Sequence, residues 1–251
     1  MATRTKIKGN FNWRILTIVP SLIEGPDAEA SLDEFNGRAD ADYKENRNVK
    51  VLTYDDGIVK GSNSFAVVLM NQILRPQGIR TVTPADLGMI LEASSLPLRV
   101  QYEDAALVLR GDIDSYDPNN SLAQDLARQV KDRGLTASPK APVMIPLTGL
   151  DLQNADNQYG LAFKLRDDAE LIEAPELVDE NDGKTFSKTD DRGMPIFDGD
   201  VGRILYTRNE GLSRLYLDRG LYSGRYRLDD SYCYGRIVLV SGESGAPNFS
   251  A

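Results

Sequence analysis

A chain of 251 residues with a 41% apolar share can bury a core without covalent staples. Its one cysteine, Cys233, rules out an intrachain disulfide, and the absence of histidine rules out Ser-His-Asp and Cys-His triads, histidine metal sites and histidine phosphorelay. The net charge of −9 opposes a generic nucleic-acid binder, and a reducing, cytoplasmic compartment is the expected setting.

In chain order, Arg4, Lys6 and Lys8 precede an apolar stretch at 15–19 that is too short for a signal peptide. No run approaches the ~20 apolar residues of a membrane helix, so no membrane partner is expected. Residues 11–19 alternate as a strand closed by Pro20. Asp27 caps a short helix over 28–35 ended by Gly37, and 39–48 reads as a polar connector before a strand at 49–54.

Ser62, Asn63 and Ser64 offer capping oxygens to an apolar helix over 65–74 that stops before Pro76. Thr83-Pro84-Ala85-Asp86 starts a second helix, running to about 94. Strands at 98–102 and 105–110 are expected to flank a tight acidic turn at Glu103-Asp104. Asp117-Pro118 opens an amphipathic helix with Leu122, Leu126 and Val130 on one face, stopped at Gly134.

After Pro139 the pattern is β, with short strands at 143–147, 161–165, 170–174, 204–207, 215–217 and 234–241. The expected fold is α+β: a mainly antiparallel sheet, about three helices in the N-terminal half and a β-rich C-terminal half. One domain over 1–251 is expected. Residues 167–200 hold twelve carboxylates against three cations, and their core at 178–200 reads as an exposed acidic insertion or loop.

Residues 203–236 carry the opposite charge. Arg203, Arg208, Arg214, Arg219, Arg225, Arg227 and Arg236 alternate with Tyr206, Tyr216, Tyr222, Tyr226, Tyr232 and Tyr234, and four carboxylates leave the stretch at +3. Arginine forks for phosphate and tyrosine faces for bases suit single-stranded nucleic acid, and the same residue types are enriched at protein interfaces. They also suit the solvent face of ordinary antiparallel strands. Arg203, Arg208, Arg214, Tyr216, Arg219, Arg225, Tyr226 and Arg227 are the expected partner-binding residues, the acidic stretch being a conceivable internal counter-charge.

Asp112, Asp114 and Asp117 form the alternative site, because hard oxygen ligands before a helix suit Mg²⁺ or Mn²⁺ in a phosphate-handling enzyme. Their plainer role is a polar turn with Asp117 as helix cap. Lys60 to Ser64 could hold an anion at a helix start, but lacks the Walker spacing. Cys233, between two tyrosines and without a histidine base, reads as a small buried apolar group. The sequence therefore points to a non-catalytic binding or assembly protein, part of a protein complex or bound to single-stranded nucleic acid, needing no cofactor; the alternative is the metal-dependent enzyme.

Overall fold

The computed structural model describes residues 19–24, 28–93, 101–199 and 202–241. Among them are four α-helices: α1 Ala28–Tyr43, α2 Ser64–Leu74, α3 Pro84–Ala93 and α4 Asn120–Asp132. The principal sheet contains β1 Tyr102–Leu109, β2 Val143–Pro146, β3 Ile172–Glu173, β4 Thr185–Phe186, β5 Arg203–Tyr206, β6 Leu212–Leu217, β7 Leu221–Tyr222 and β8 Gly235–Arg236. Its order is β4-β5-β7-β6-β1-β2-β3, with β8 also paired to β1. Pairings are antiparallel except β5 with β7 and β8 with β1. The fold is α+β, with a strand-rich C-terminal half.

Strand β1 organises the interior. It is buried along its whole length, and its side chains alternate between two cores. Leu107 and Leu109 enter a core built from α1, α2, α4 and the hairpin Leu150–Asn154/Leu161–Leu165. Ala106 and Val108 enter a second core with Leu87 and Ile90 of α3, Phe186, Met194, Leu205 and Leu215. A two-residue side-chain period explains this division. The register with β6 slips by one, Leu215 facing Ala106 and Tyr216 facing Asp104, so Ala105 is the extra residue of a β-bulge.

The helices follow their apolar spacing. Leu122, Leu126 and Val130 form the buried stripe of α4, and a helix this short needs such burial to persist. Asn63 caps α2, its side chain accepting from Ala66 N–H at 2.8 Å, and nearly every face of that helix is buried.

Three local expectations fail. Helix α1 does not stop at Gly37 but runs to Tyr43, because Ala28, Leu32, Phe35, Ala39 and Tyr43 continue one buried stripe past the glycine. Glu103 and Asp104 do not form a turn: both are buried inside β1. The strand expected at 49–54 shrinks to Thr53–Asp55, paired with Ile58–Lys60. The strand expected at 11–19 falls outside the described residues apart from Val19, which begins a strand, Val19–Leu22, paired with Val238–Ser241. Residues 98–100 also lie outside them.

The acidic stretch is ordered by apolar anchors. Phe186 and Met194 are buried in the second core, while Lys188–Thr189 pairs with Pro195–Ile196. Asp179, Glu180 and Asp182 face solvent.

Candidate interaction surface

The Arg/Tyr stretch divides into buried and open parts. Arg214 is buried and holds Asp104 with two bonds, Nε at 2.7 Å and Nη2 at 2.6 Å. Ser62 Oγ donates to the same carboxylate at 2.6 Å. The guanidinium lies over the rings of Tyr102 and Tyr216. Burial disfavours its charge, but the Asp104 carboxylate and its hydrogen bonds outweigh that and hold the pKa above the usual arginine value. Arg214 is therefore a structural cation, unavailable to a partner's phosphate.

Arg208 is likewise engaged. It donates to Asp114 Oδ1 at 3.0 Å and lies over the Tyr226 ring, which packs on Tyr116. Asp114 also accepts from Leu212 N–H and Tyr116 N–H, both at 2.8 Å, and from Asn119 Nδ2 at 3.2 Å. These donors occupy the lone pairs that a metal would need. Asp112 is exposed and Asp117 Oδ2 accepts from Gln158 at 2.7 Å. Among the described residues no cluster of three His, Cys, Asp or Glu is placed to hold a metal ion. Asp114 thus holds the loop, while Asp117 lies in a 3-10 turn before α4.

A row of stacked tyrosines opens to solvent at one end, Tyr206. Register sets Tyr216 opposite Tyr222 and Tyr222 opposite Tyr206, across β6, β7 and β5. The rings stack face to face, centroids 4.9 Å and 4.6 Å apart with interplanar angles of 3° and 12°. Tyr216 also meets Tyr102 edge-on at 5.5 Å. Burial increases inward along the row, from Tyr206 at 39% exposed to Tyr216 at 9%. Arg225, exposed, donates through Nε to Tyr216 Oη at 3.3 Å. Burial raises the Tyr216 pKa, so the phenol stays neutral and can accept that bond.

The other expected contacts scatter. Arg203 shares with Leu205 the side of β5 that faces the second core, away from Tyr206, and burial lowers its pKa. Arg219 is exposed in the β6–β7 turn. Arg227 is exposed but pairs with Asp230 at 3.1 Å. Among the described residues, Arg219 and Arg225 have no carboxylate in an ion pair. No ion pair joins the acidic stretch to these arginines either, so the internal counter-charge is not formed among the described residues.

Three features escaped the sequence. Arg110, which closes the strand expected at 105–110, is wholly buried, its guanidinium donating to Ser213, Thr207 and Ser223 hydroxyls at 2.8–2.9 Å and to the Leu177 carbonyl; burial pulls its pKa down to about 9. It ties the acidic stretch to the sheet. Cys233, expected to be buried, is exposed beside an open groove of about 480 Å³ lined by Thr53, Gly61, Arg227, Asp229 and Tyr232. The helix start at 60–64 is closed to anions: Ser62 N–H donates to Ser231 Oγ, Ser64 N–H to the Leu228 carbonyl, and Lys60 pairs with Asp55.

No helix among the described residues is long and apolar enough to cross a membrane. No protein-family model, curated protein or solved structure matches this chain.

Proposed function

We propose that this chain is a non-catalytic binding or assembly protein, a component of a larger complex in a reducing, cytoplasmic compartment, whose partner contact is the sheet face around Tyr206, Tyr222 and Arg225. The observation that carries this reading is the in-register tyrosine stack, open to solvent at Tyr206 and flanked by an arginine without an ion-paired carboxylate. Tyrosine brings large contact area at small entropic cost and arginine brings directional bonds, which is why both concentrate at binding hot spots. The partner is a protein or a single-stranded nucleic acid, since both accept stacking and guanidinium contacts. Asp114, the buried one of the three carboxylates first suited to a metal, is engaged in holding the loop before α4, which supports a binding role over a phosphate-handling one.

The test pairs partner capture with strand binding. Arg219→Ala/Arg225→Ala changes two exposed side chains, so its melting temperature is expected to stay near that of the parent protein. Capture of the co-purifying partner, or anisotropy-detected binding of labelled single-stranded RNA or DNA, is expected to fall about tenfold or more. Strand binding, if that is the mode, must also weaken steeply between low and physiological salt. Capture and strand binding both unchanged in the double variant would remove this surface from the account.

A further inference from the structure

Residues 229–232 form a platform anchored by buried groups. The Asp229 carbonyl accepts from Asn63 Nδ2 at 3.0 Å and the Asp230 carbonyl from Arg214 Nη1 at 2.6 Å. Ser231 Oγ accepts from Ser62 N–H at 3.1 Å, and Tyr232 N–H donates to Tyr102 Oη at 3.0 Å. Ser62, Asn63, Tyr102 and Arg214 are all buried, so four consecutive residues are fixed, and Asp229, Asp230 and Tyr232 line the open groove of about 480 Å³. Such anchoring suits a binding site, because little freedom remains to be lost when a ligand arrives.

The lining selects a cation. Two carboxylates, Asp229 and Asp230, against the one cation, Arg227, leave it net negative. Arg227 is half-exposed and serves the two unevenly: its Nε lies 3.1 Å from Asp230 Oδ1 but 3.8 Å from Asp229 Oδ1, and that Asp229 oxygen, although buried, has no hydrogen bond. A buried acceptor without a donor carries a desolvation penalty that a better-placed N–H removes. Tyr232, nearly half exposed in the same lining, adds a ring surface that attracts positive charge. Phosphate would meet the net negative lining, which argues against a nucleotide or a strand in this groove.

We propose that this groove is a binding site for an organic cation, a guanidinium or alkylammonium group, and that Arg227 is an internal stand-in which the ligand displaces from Asp229 and Asp230. The site does not depend on the partner-surface reading of the tyrosine row.

Cys233, the only thiol of the chain, is exposed in the groove lining and reports occupancy. The experiment follows its alkylation by iodoacetamide, an uncharged reagent, at fixed ionic strength with and without three cationic probes: N-acetylarginine amide, spermidine, and a short peptide containing lysine and arginine. Calorimetric titration of the same probes registers binding that leaves the thiol open. The expected result is saturable binding of a cationic probe that neutral N-acetylglycine amide does not reproduce. Arg227→Ala should lower the half-saturating concentration about tenfold, and Asp229→Asn/Asp230→Asn should raise it about tenfold or more. Thermal melts check that both variants fold, and protection is read within each variant as the ratio of rates with and without probe. Preference for the peptide assigns the cation to a partner protein's side chain, preference for spermidine to a free polyamine, and either supports the proposal. No binding of any cationic probe to Arg227→Ala overturns it, and so does binding that the double asparagine variant leaves unchanged.

Discussion

The Arg214–Asp104 pair links the interior to the open face, because the guanidinium that neutralises Asp104 also supports the Tyr216 ring. Removing one partner of a buried pair leaves the other as an isolated charge in a poor solvent. Arg214→Met should therefore cost about 3–5 kcal/mol in urea unfolding, and a loss under about 1 kcal/mol would show that Asp104 is relieved by Ser62 alone. Glu103 makes a different prediction. Burial, reinforced by the charge of Asp104, raises its pKa well above 4.5 against the opposing Val238 N–H and Arg236. The folded state thus binds a proton that the unfolded state has released, so stability falls as pH rises from about 4.5 to the folded value and stays reduced above it. Glu103→Gln should raise the melting temperature at neutral pH, change it little near pH 4, and flatten the slope between; a melt with the parent's pH slope would contradict this assignment. Neither residue was legible beforehand. Two adjacent carboxylates look like a turn in the sequence, and the cation that pairs Asp104 comes from β6, 110 residues further along the chain.

At the scale of elements, strong local signals carried through. The Asn63 cap, the Thr83-Pro84 start and the 122/126/130 stripe each rest on interactions within a few residues, and each element stands where its signal put it. Helix α1 shows the opposite case: Gly37 and the acidic residues after it masked a stripe that continues to Tyr43, and tertiary burial of that stripe overrode local propensity. The acidic stretch was read from its charges, yet Phe186 and Met194 fix it, with Gly193 pressed against the start of α3. Gly193 has φ +82°, and a Cβ there would stand 2.2 Å from the Pro84 carbonyl carbon. Gly193→Ala should destabilise by about 1–3 kcal/mol and open the 178–199 segment to limited proteolysis. Cleavage no faster than in the parent protein would mean that the segment is held without this close approach.

For the whole molecule, the sequence showed the charge reversal between 167–200 and 203–236 but not how the two stretches are disposed. That depends on strand order: β5 lies between the acidic edge and β7, and the β5–β7 pairing is parallel, so Tyr206 and Tyr222 stack although fifteen residues separate them. Of the expected contact residues, Tyr216 and Arg225 belong to the row and Arg219 is exposed in the β6–β7 turn; Arg208, Arg214 and Tyr226 are drawn into internal pairs and ring contacts. Periodicity could mark Arg and Tyr as alternating, but not which arginines would find carboxylates from distant segments. The central claim is that the face around Tyr206 is a contact surface, and hydroxyl-radical footprinting across protein concentration and with added partner tests it most directly. Tyr54, equally exposed on the Thr53–Asp55 strand, is the internal reference. Loss of Tyr206 oxidation as the assembly forms, with Tyr54 unchanged, is the predicted result; equal oxidation of both tyrosines in the free and assembled states would contradict the account.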